Sequence, residues 1–193
     1  MTDINEQSLE NPSERASKNG GLPDESTALG SPREGLIGVA EWLFFAYRDF
    51  ISDPDTDLRA LGFGRAHHRI LHFVNRHPGL RVADLLDILK ITKQSLGRVL
   101  KQLVDQGYIA QQAGQADRRE RRLYPTERGQ ALARRLIEPQ IERIARAIEA
   151  SGDDGKEAVQ EFLRSMVGES EREKVNNLIA RGKGPEKQGW SPS

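Results

Sequence analysis

The segment from Thr92 to Gly107 constrains the fold most strongly, because it carries the full pattern of an amphipathic helix. Its apolar residues follow the i, i+3, i+4, i+7, i+8 spacing: Leu96, Val99, Leu100, Leu103 and Val104. Thr92 is a favourable N-cap residue, and Gly107 is well placed to end the helix. The sequence therefore predicts a helix over about 93–106 with one apolar face and one polar face.

Helical spacing also occurs just before this segment, and a hairpin pattern follows it. Two short helices are predicted over about 65–75 and 82–89, separated by the turn signal His77-Pro78-Gly79. After Gly107, β-like runs at 108–112 and 121–125 flank a polar, arginine-rich stretch. This order predicts a helix-turn-helix followed by a basic wing.

Further helices are predicted on both sides of the helix-turn-helix and wing. The first, over about 36–50, is apolar around most of its circumference, so it must be buried either in the core of the chain or in a subunit interface. A long helix should start at Thr126 and bend at Pro139. A last helix should run from Ala158 to about residue 180. The predicted fold class is mostly α with a small β-wing.

These elements suggest a division of the chain. Residues 1–34 and 182–193 are too polar to bury a core, so we expect an acidic disordered tail and a second disordered tail. Between them, 35–181 forms the winged-helix domain, with a DNA-binding lobe at about 65–125. The first helix (about 36–51) and the helices of about 126–180 are assigned to dimerisation.

The composition excludes several classes of protein. The chain has no Cys, which excludes disulfides, thiolate metal sites and cysteine nucleophiles. It has no signal-peptide pattern at its start and no apolar run of membrane-spanning length, so we expect a cytoplasmic protein that does not bind a membrane. It also lacks nucleotide-binding and nucleophile motifs, so we predict no enzyme and no cofactor. His67, His68 and His72 lack the third ligand of a metal site, and no metal is predicted.

The zero formal net charge hides an uneven distribution. Residues 81–135 carry twelve basic and six acidic side chains, whereas residues 1–34 carry three basic and seven acidic ones. A basic middle section is typical of an anion-binding module. An ordinary solvated helix surface explains the charge equally well.

The polar face of the 93–106 helix is suited to reading DNA. An α-helix fits the major groove, where Gln pairs with adenine and Arg or Lys pairs with guanine. The predicted DNA-binding residues of this recognition helix are Thr92, Lys93, Gln94, Ser95, Arg98 and Gln102. Any amphipathic helix would show such a face, so this feature alone leaves the function open.

The hairpin tip adds a second and more specific feature. Four arginines stand within five positions, and Asp117 can orient one of them by a charge-assisted hydrogen bond. Arginine is suited to a narrow minor groove. The predicted DNA-binding residues of the wing are Asp117, Arg118, Arg119, Arg121 and Arg122. A solvated charge cluster is the alternative.

The stretch from Asp117 to Gly129 resembles the wing of MarR-family bacterial transcription regulators, with its D-x-R-D-R-R motif and following L-T-x-x-G. Glu120 and Pro125 depart from that pattern. Segments 43–50 and 62–69 look like the PetP-type branch. The resemblance implies a homodimer, joined through its first and last helices, that binds a pseudo-palindromic operator in double-stranded DNA. It also implies that Arg119 enters the minor groove with the support of Asp117.

The same resemblance implies a cleft for a small anionic aromatic effector of unknown identity. Its predicted lining is Trp42, Phe45, Arg48, Phe63 and His67, although ordinary dimer packing explains the aromatic residues equally well. The alternative function for the whole chain is a winged-helix protein-interaction module whose basic face docks an acidic protein partner.

Overall fold

The computed structural model describes residues 32–114 and 119–182. In chain order its elements are α1 (Pro32–Ser52), α2 (Asp55–Ala60), α3 (Arg65–Arg76), β1 (Leu80–Arg81), α4 (Val82–Leu89), α5 (Lys93–Asp105), β2 (Ile109–Ala113), β3 (Arg121–Pro125), α6 (Glu127–Glu149), α7 (Gly155–Met166) and α8 (Glu169–Arg181). The predicted fold class, mostly α with a small β-wing, is confirmed.

The chain separates into two compact units, Met1–Phe44 and Phe45–Ser193. The described part of the first unit is the N-terminal half of α1, which begins four residues before the predicted Leu36. Its large apolar side chains are exposed, and Trp42 reaches 77% exposure. No residue of α1 is buried. Both explanations for its apolar surface, the core of the chain and a subunit interface, stay predictions. Of the predicted tails over 1–34 and 182–193, residues 1–31 and 183–193 lie outside the described residues, and residues 32–34 belong to α1.

The helix-turn-helix forms as the sequence predicted, and its caps show why. The Thr92 hydroxyl accepts a hydrogen bond from the Ser95 backbone N–H at 3.2 Å, which begins α5. Lys90, at a φ of 49°, ends α4 in the left-handed conformation and allows the tight turn. Gly107, at a φ of 73°, ends α5 and turns the chain into β2.

The wing is part of a three-stranded antiparallel sheet in the order β1-β3-β2. The hairpin strands pair with Gln111 opposite Leu123 and Ala113 opposite Arg121. The two-residue strand β1 was not predicted, because two residues are too few to show an alternating pattern. It places Arg81 directly opposite Arg122 on β3.

The core lies where α3, α4, α5 and α6 converge on the sheet. Buried apolar side chains from each element form one cluster, including Leu58, Ile70, Leu71, Val74, Leu85, Leu96, Leu103, Ile109, Leu123 and Leu136. The three apolar residues of α5 that are fully covered, Leu96, Leu100 and Leu103, fix which face of this helix remains outside. The core thus holds α5 with its polar face exposed.

The C-terminal helices differ in part from the prediction. Thr126 caps α6 by accepting from the Gly129 N–H at 3.0 Å, and Pro139 lies inside that helix. The predicted last helix is two helices, α7 and α8, separated by extended backbone at Val167 and Gly168. Arg172 donates to the carbonyl groups of Ser165 and Val167, both at 3.2 Å, which satisfies acceptors at the end of α7.

The short helix α2 was not anticipated, and it follows α1 after only Asp53 and Pro54. Asp53 accepts two hydrogen bonds from Arg143 of α6, at 2.7 and 2.8 Å. The hydrogen-bonded Arg143 guanidinium lowers the pKa of Asp53. Of the described helices, none is long and apolar enough to cross a membrane.

Candidate nucleic-acid interface

The N-terminal half of α5 presents a polar surface. The side chains of Thr92, Lys93, Gln94, Ser95 and Arg98 are all exposed. Gly97 lies on the same surface, and a Cβ atom built on it meets nothing within 4 Å. This part of the predicted recognition helix is therefore accessible to a bound molecule.

A groove of ≈ 790 Å³ separates this helix from the wing. Basic side chains line it from three elements: Arg81 from β1, Lys93 and Lys101 from α5, and Arg119 and Arg121 from the wing. Asp105 and Glu120 also line it. The fold thus brings cations that are far apart in the sequence to one concave surface, as an anionic ligand requires.

Glu120 joins the wing to the helix-turn-helix. Its carboxylate pairs with Arg122 at 2.6 Å and with Arg81 at 3.8 Å. Arg81 in turn pairs with Asp84 of α4 at 2.6 Å, and this hydrogen bond lowers the pKa of Asp84. Arg122 is thus engaged at the base of the wing. The sequence showed the acidic residue but not its role, which depends on a pairing 39 positions apart.

The remaining wing residues are described only in part. Asp117 and Arg118 lie outside the described residues, so the predicted support of Arg119 by Asp117 stays a prediction. Arg119 itself is exposed in the turn that precedes β3. Arg121 is exposed and lines the groove.

Some basic residues of the 81–135 segment have structural contacts instead. The guanidinium of Arg128 lies 4.3 Å from the centre of the Tyr108 ring and donates to the Gln106 carbonyl at 3.0 Å. Arg135 pairs with Asp57 of α2 at 3.3 Å. The uneven charge of the sequence therefore overstates the number of cations that face the groove.

Gln102 differs from the other predicted residues of the recognition helix. Its Oε1 lies 2.8 Å from Nε2 of His67, on α3. His67 is 7% exposed and stacks on Phe63 with a ring separation of 4.4 Å. Gln102 therefore lies on the flank of α5 that faces α3, although its own side chain is exposed.

The residues of the predicted effector cleft differ in their surroundings. Phe63 and His67 are buried in the core, and Trp42 belongs to the other compact unit. Phe45 and Arg48 are exposed and contact each other, with the guanidinium 4.9 Å from the ring centre. The rings of Phe63 and His67 stack on one another, and His67 also contacts Gln102. The predicted effector cleft stays a prediction.

A different pocket, of ≈ 430 Å³, opens on the next face of α3. Its lining combines α1, α3 and α6: Tyr47, Phe50, Ile51, Arg65, His68, Arg69, His72, Phe73, Ile137 and Gln140. His68 is 8% exposed, and its Nε2 has no hydrogen-bond partner among the described residues. Burial, with a smaller contribution from His72, lowers the pKa of His68 to about 4. In the sequence, the i, i+4 spacing of His68 and His72 indicates that both side chains lie on this face of α3.

Comparisons with known proteins agree with this geometry. A family model described as the MarR family matches residues 61–120. The HTH-type transcriptional regulator PetP of Rhodobacter capsulatus is 44% identical over 147 residues, which cover 76% of this chain and 89% of that protein. The chain belongs to the MarR family.

Solved MarR-family structures share the fold. A regulator from Silicibacter pomeroyi matches with a TM-score of 0.60 and 22% identity, over 73% of this chain and 99% of that one. A regulator from Listeria monocytogenes, crystallised with a 26mer DNA, matches with a TM-score of 0.60 and 21% identity, over 75% and 95%. The resemblance to the MarR family and to its PetP-type branch is thus confirmed. The MarR family is one of transcription regulators, not of enzymes.

Proposed function

We propose that this MarR-family regulator binds double-stranded DNA sequence-specifically, as a homodimer on a pseudo-palindromic operator. The observation that carries the proposal is the groove between α5 and the wing, where five basic side chains from three elements face one concavity. A polar helix face next to a basic β-loop matches the adjacent major and minor grooves of a duplex.

Within this proposal the predicted residues have different roles. Lys93, Gln94 and Arg98 on the exposed face of α5 contact base edges or phosphates in the major groove. Arg119 and Arg121 extend from the wing toward the minor groove. Arg122 supports the wing from its pair with Glu120. The Listeria monocytogenes regulator of the same fold was crystallised with a 26mer DNA, which supports DNA as the partner.

The dimer is proposed from apolar surface that the single chain leaves uncovered. On α1, Leu36, Val39, Trp42 and Phe44 are exposed in the first unit. In the second unit, α7 exposes Val159, Phe162, Leu163 and Met166. Apolar surface of this extent is typical of a protein interface. We assign α1 and the helices after residue 126 to that interface.

Selection from random duplexes tests the proposal against a protein-docking function for the same basic face. The proposal predicts enrichment of a two-fold symmetric site with half-sites about 10 bp apart, centre to centre. Light scattering should give twice the mass of the chain. A monomer, or a selection that enriches no sequence, would instead support docking of an acidic protein.

A second function, effector binding, is favoured by one observation: the buried Nε2 of His68 has no partner among the described residues and borders the pocket between α1, α3 and α6. The aromatic rings of Phe50 and Phe73 and the guanidinium of Arg69 suit a small aromatic carboxylate. Benzoate titration followed by thermal unfolding tests this. Saturable stabilisation that is lost in His68→Ala supports the effector site, and an unchanged Tm contradicts it.

A further inference from the structure

The buried imidazole of His67 has one defined tautomer. Its Nδ1 accepts a hydrogen bond from the Gly64 backbone N–H at 3.1 Å, which caps the start of α3. A nitrogen that accepts this bond carries no proton, so the proton of the neutral ring is on Nε2. Nε2 lies 2.8 Å from the side-chain oxygen of Gln102. His67 is therefore the donor, and Gln102 the acceptor.

This bond fixes the orientation of the Gln102 amide. Its Oε1 is directed at α3 and engaged there, which leaves the NH₂ group on the opposite side of the amide. The ring of His67 cannot swing away, because it is stacked on Phe63 with an angle of 6° between the rings. The side chain of Gln102 is exposed, so its N–H groups are accessible from outside.

We propose that His67 makes Gln102 a donor-only residue of the recognition helix, so that Gln102 binds an acceptor oxygen or nitrogen of DNA and does not form the bidentate pair with adenine. The proposal rests on the proposed DNA-binding function. Bidentate pairing of Gln with adenine uses the amide oxygen to accept from N6 and the amide nitrogen to donate to N7. With its oxygen directed at α3 and engaged by His67, Gln102 presents only its N–H donors to DNA, which suit guanine O6 or N7, adenine N7, thymine O4, or a phosphate oxygen.

His67 is a positioning residue in this scheme, because it acts through Gln102 and not on DNA. A substitution of His67 should therefore change what Gln102 recognises, whereas a purely structural role would only change stability. His67→Phe preserves an aromatic ring for stacking on Phe63 but removes the Nε2 donor. The amide of Gln102 is then free to turn its oxygen outward and accept from adenine.

The test compares the parent protein with Gln102→Met, Gln102→Glu and His67→Phe. Gln102→Met should lower operator affinity about tenfold. Gln102→Glu should lower it further, because its carboxylate still accepts from His67 but offers DNA no donor. Duplex selection distinguishes the two sources of acceptor. If Gln102 contacts a base, the Gln102→Met variant should lose base discrimination at one position in each half-site. The His67→Phe variant should then accept adenine at that position.

For a phosphate contact, no base position changes, and one methylphosphonate substitution in the operator abolishes the difference between the parent and Gln102→Met. A parent protein that selects adenine at the position controlled by Gln102 would overturn the proposal. So would Gln102→Met and Gln102→Glu variants that bind the operator as tightly as the parent.

A readout without DNA separates this proposal from the proposed function. Nitrogen NMR of the imidazole groups in the DNA-free protein should show His67 with an unprotonated Nδ1 and a protonated Nε2. The opposite tautomer would overturn the donor-only assignment even if the protein binds DNA. A parent that shows the expected tautomer but binds no duplex would instead overturn the proposed function.

Discussion

Arg81 and Arg122 lie directly opposite each other on β1 and β3, and the Glu120 carboxylate pairs with both. Two like charges at opposite positions of a sheet destabilise it unless a counter-charge is present. Glu120 supplies that charge and links the wing to α4 through Arg81 and Asp84. These ion pairs therefore add to the apolar packing of Leu123 and Ile109 at the base of the wing.

Replacing this carboxylate should destabilise the fold in a salt-dependent way. Glu120→Gln removes two partly exposed pairs, each worth about 0.2–1 kcal/mol. We expect the free energy of unfolding in urea to fall by about 1 kcal/mol at low salt and by less in 1 M NaCl, where charges are screened. Glu142→Gln, which removes an exposed pair with Arg146, is the control. Equal effects of both substitutions would contradict the assigned role of Glu120.

The tip of the wing should matter for DNA and not for folding. Arg119 is exposed in a turn, so Arg119→Ala should leave the circular dichroism spectrum unchanged. Its loss from the minor groove should weaken operator binding at least about tenfold, or about 1.4 kcal/mol. Arg134→Ala, an exposed substitution on α6 away from the groove, is the matched control. If Arg119→Ala binds the operator as tightly as this control, the wing assignment is wrong.

Replacing Gly129 and Gly97 by alanine should change the stability of the protein in opposite directions. A Cβ atom at Gly129, in the first turn of α6, would lie 2.0 Å from the Tyr108 carbonyl oxygen, so Gly129→Ala must displace the backbone. We expect a loss of about 1–3 kcal/mol or more. Gly97→Ala meets open space in the middle of α5 and should stabilise the protein by about 0.5–1 kcal/mol. Urea unfolding of both variants checks this, and a destabilised Gly97→Ala with an unaffected Gly129→Ala would contradict the packing described.

Acidification should destabilise the protein well above the range in which carboxylates titrate. Burial lowers the pKa of His68 to about 4, from an ordinary value of 6.5, and lowers the pKa values of His72 and His77 as well. Between pH 6.5 and 4 the unfolded chain therefore binds more protons than the folded one, and the free energy of unfolding falls as pH falls. One group contributes at most about 1.4 kcal/mol per pH unit.

His68→Gln isolates the contribution of that residue. Its free energy of unfolding should decline less than that of the parent between pH 7 and pH 5. Above pH 7 the free energies of unfolding of the two proteins should depend on pH in the same way. An identical decline in both proteins below pH 7 would show that His68 is not buried in its neutral form.

Features that depend on neighbouring residues could be predicted from the sequence. The caps at Thr92 and Thr126, the turn at Gly107 and the buried face of α5 are all set by residues within about two helical turns. The predicted bounds of α4, 82–89, agree with the structure, because the apolar residues that mark this helix begin at Val82 and end at Leu89.

Features that depend on distant residues could not be predicted from the sequence. The strand β1 forms only because Leu80 meets Leu123 across 43 positions. The bond between His67 and Gln102 spans 35 positions and joins α3 to α5. Sequence patterns report which side chains share a face of one element, but they do not report which partner that face meets.

The salt dependence of operator binding tests the central claim, that the cations lining the groove between α5 and the wing neutralise DNA phosphates. Each phosphate contact contributes about −0.9 to the slope of log Kobs against log salt concentration. In a dimer, Arg121→Ala or Lys93→Ala should therefore flatten the slope by about 1.8, because each removes two contacts. Arg134→Ala should leave it unchanged. Slopes of Arg121→Ala and Lys93→Ala that equal the parent slope would contradict the account.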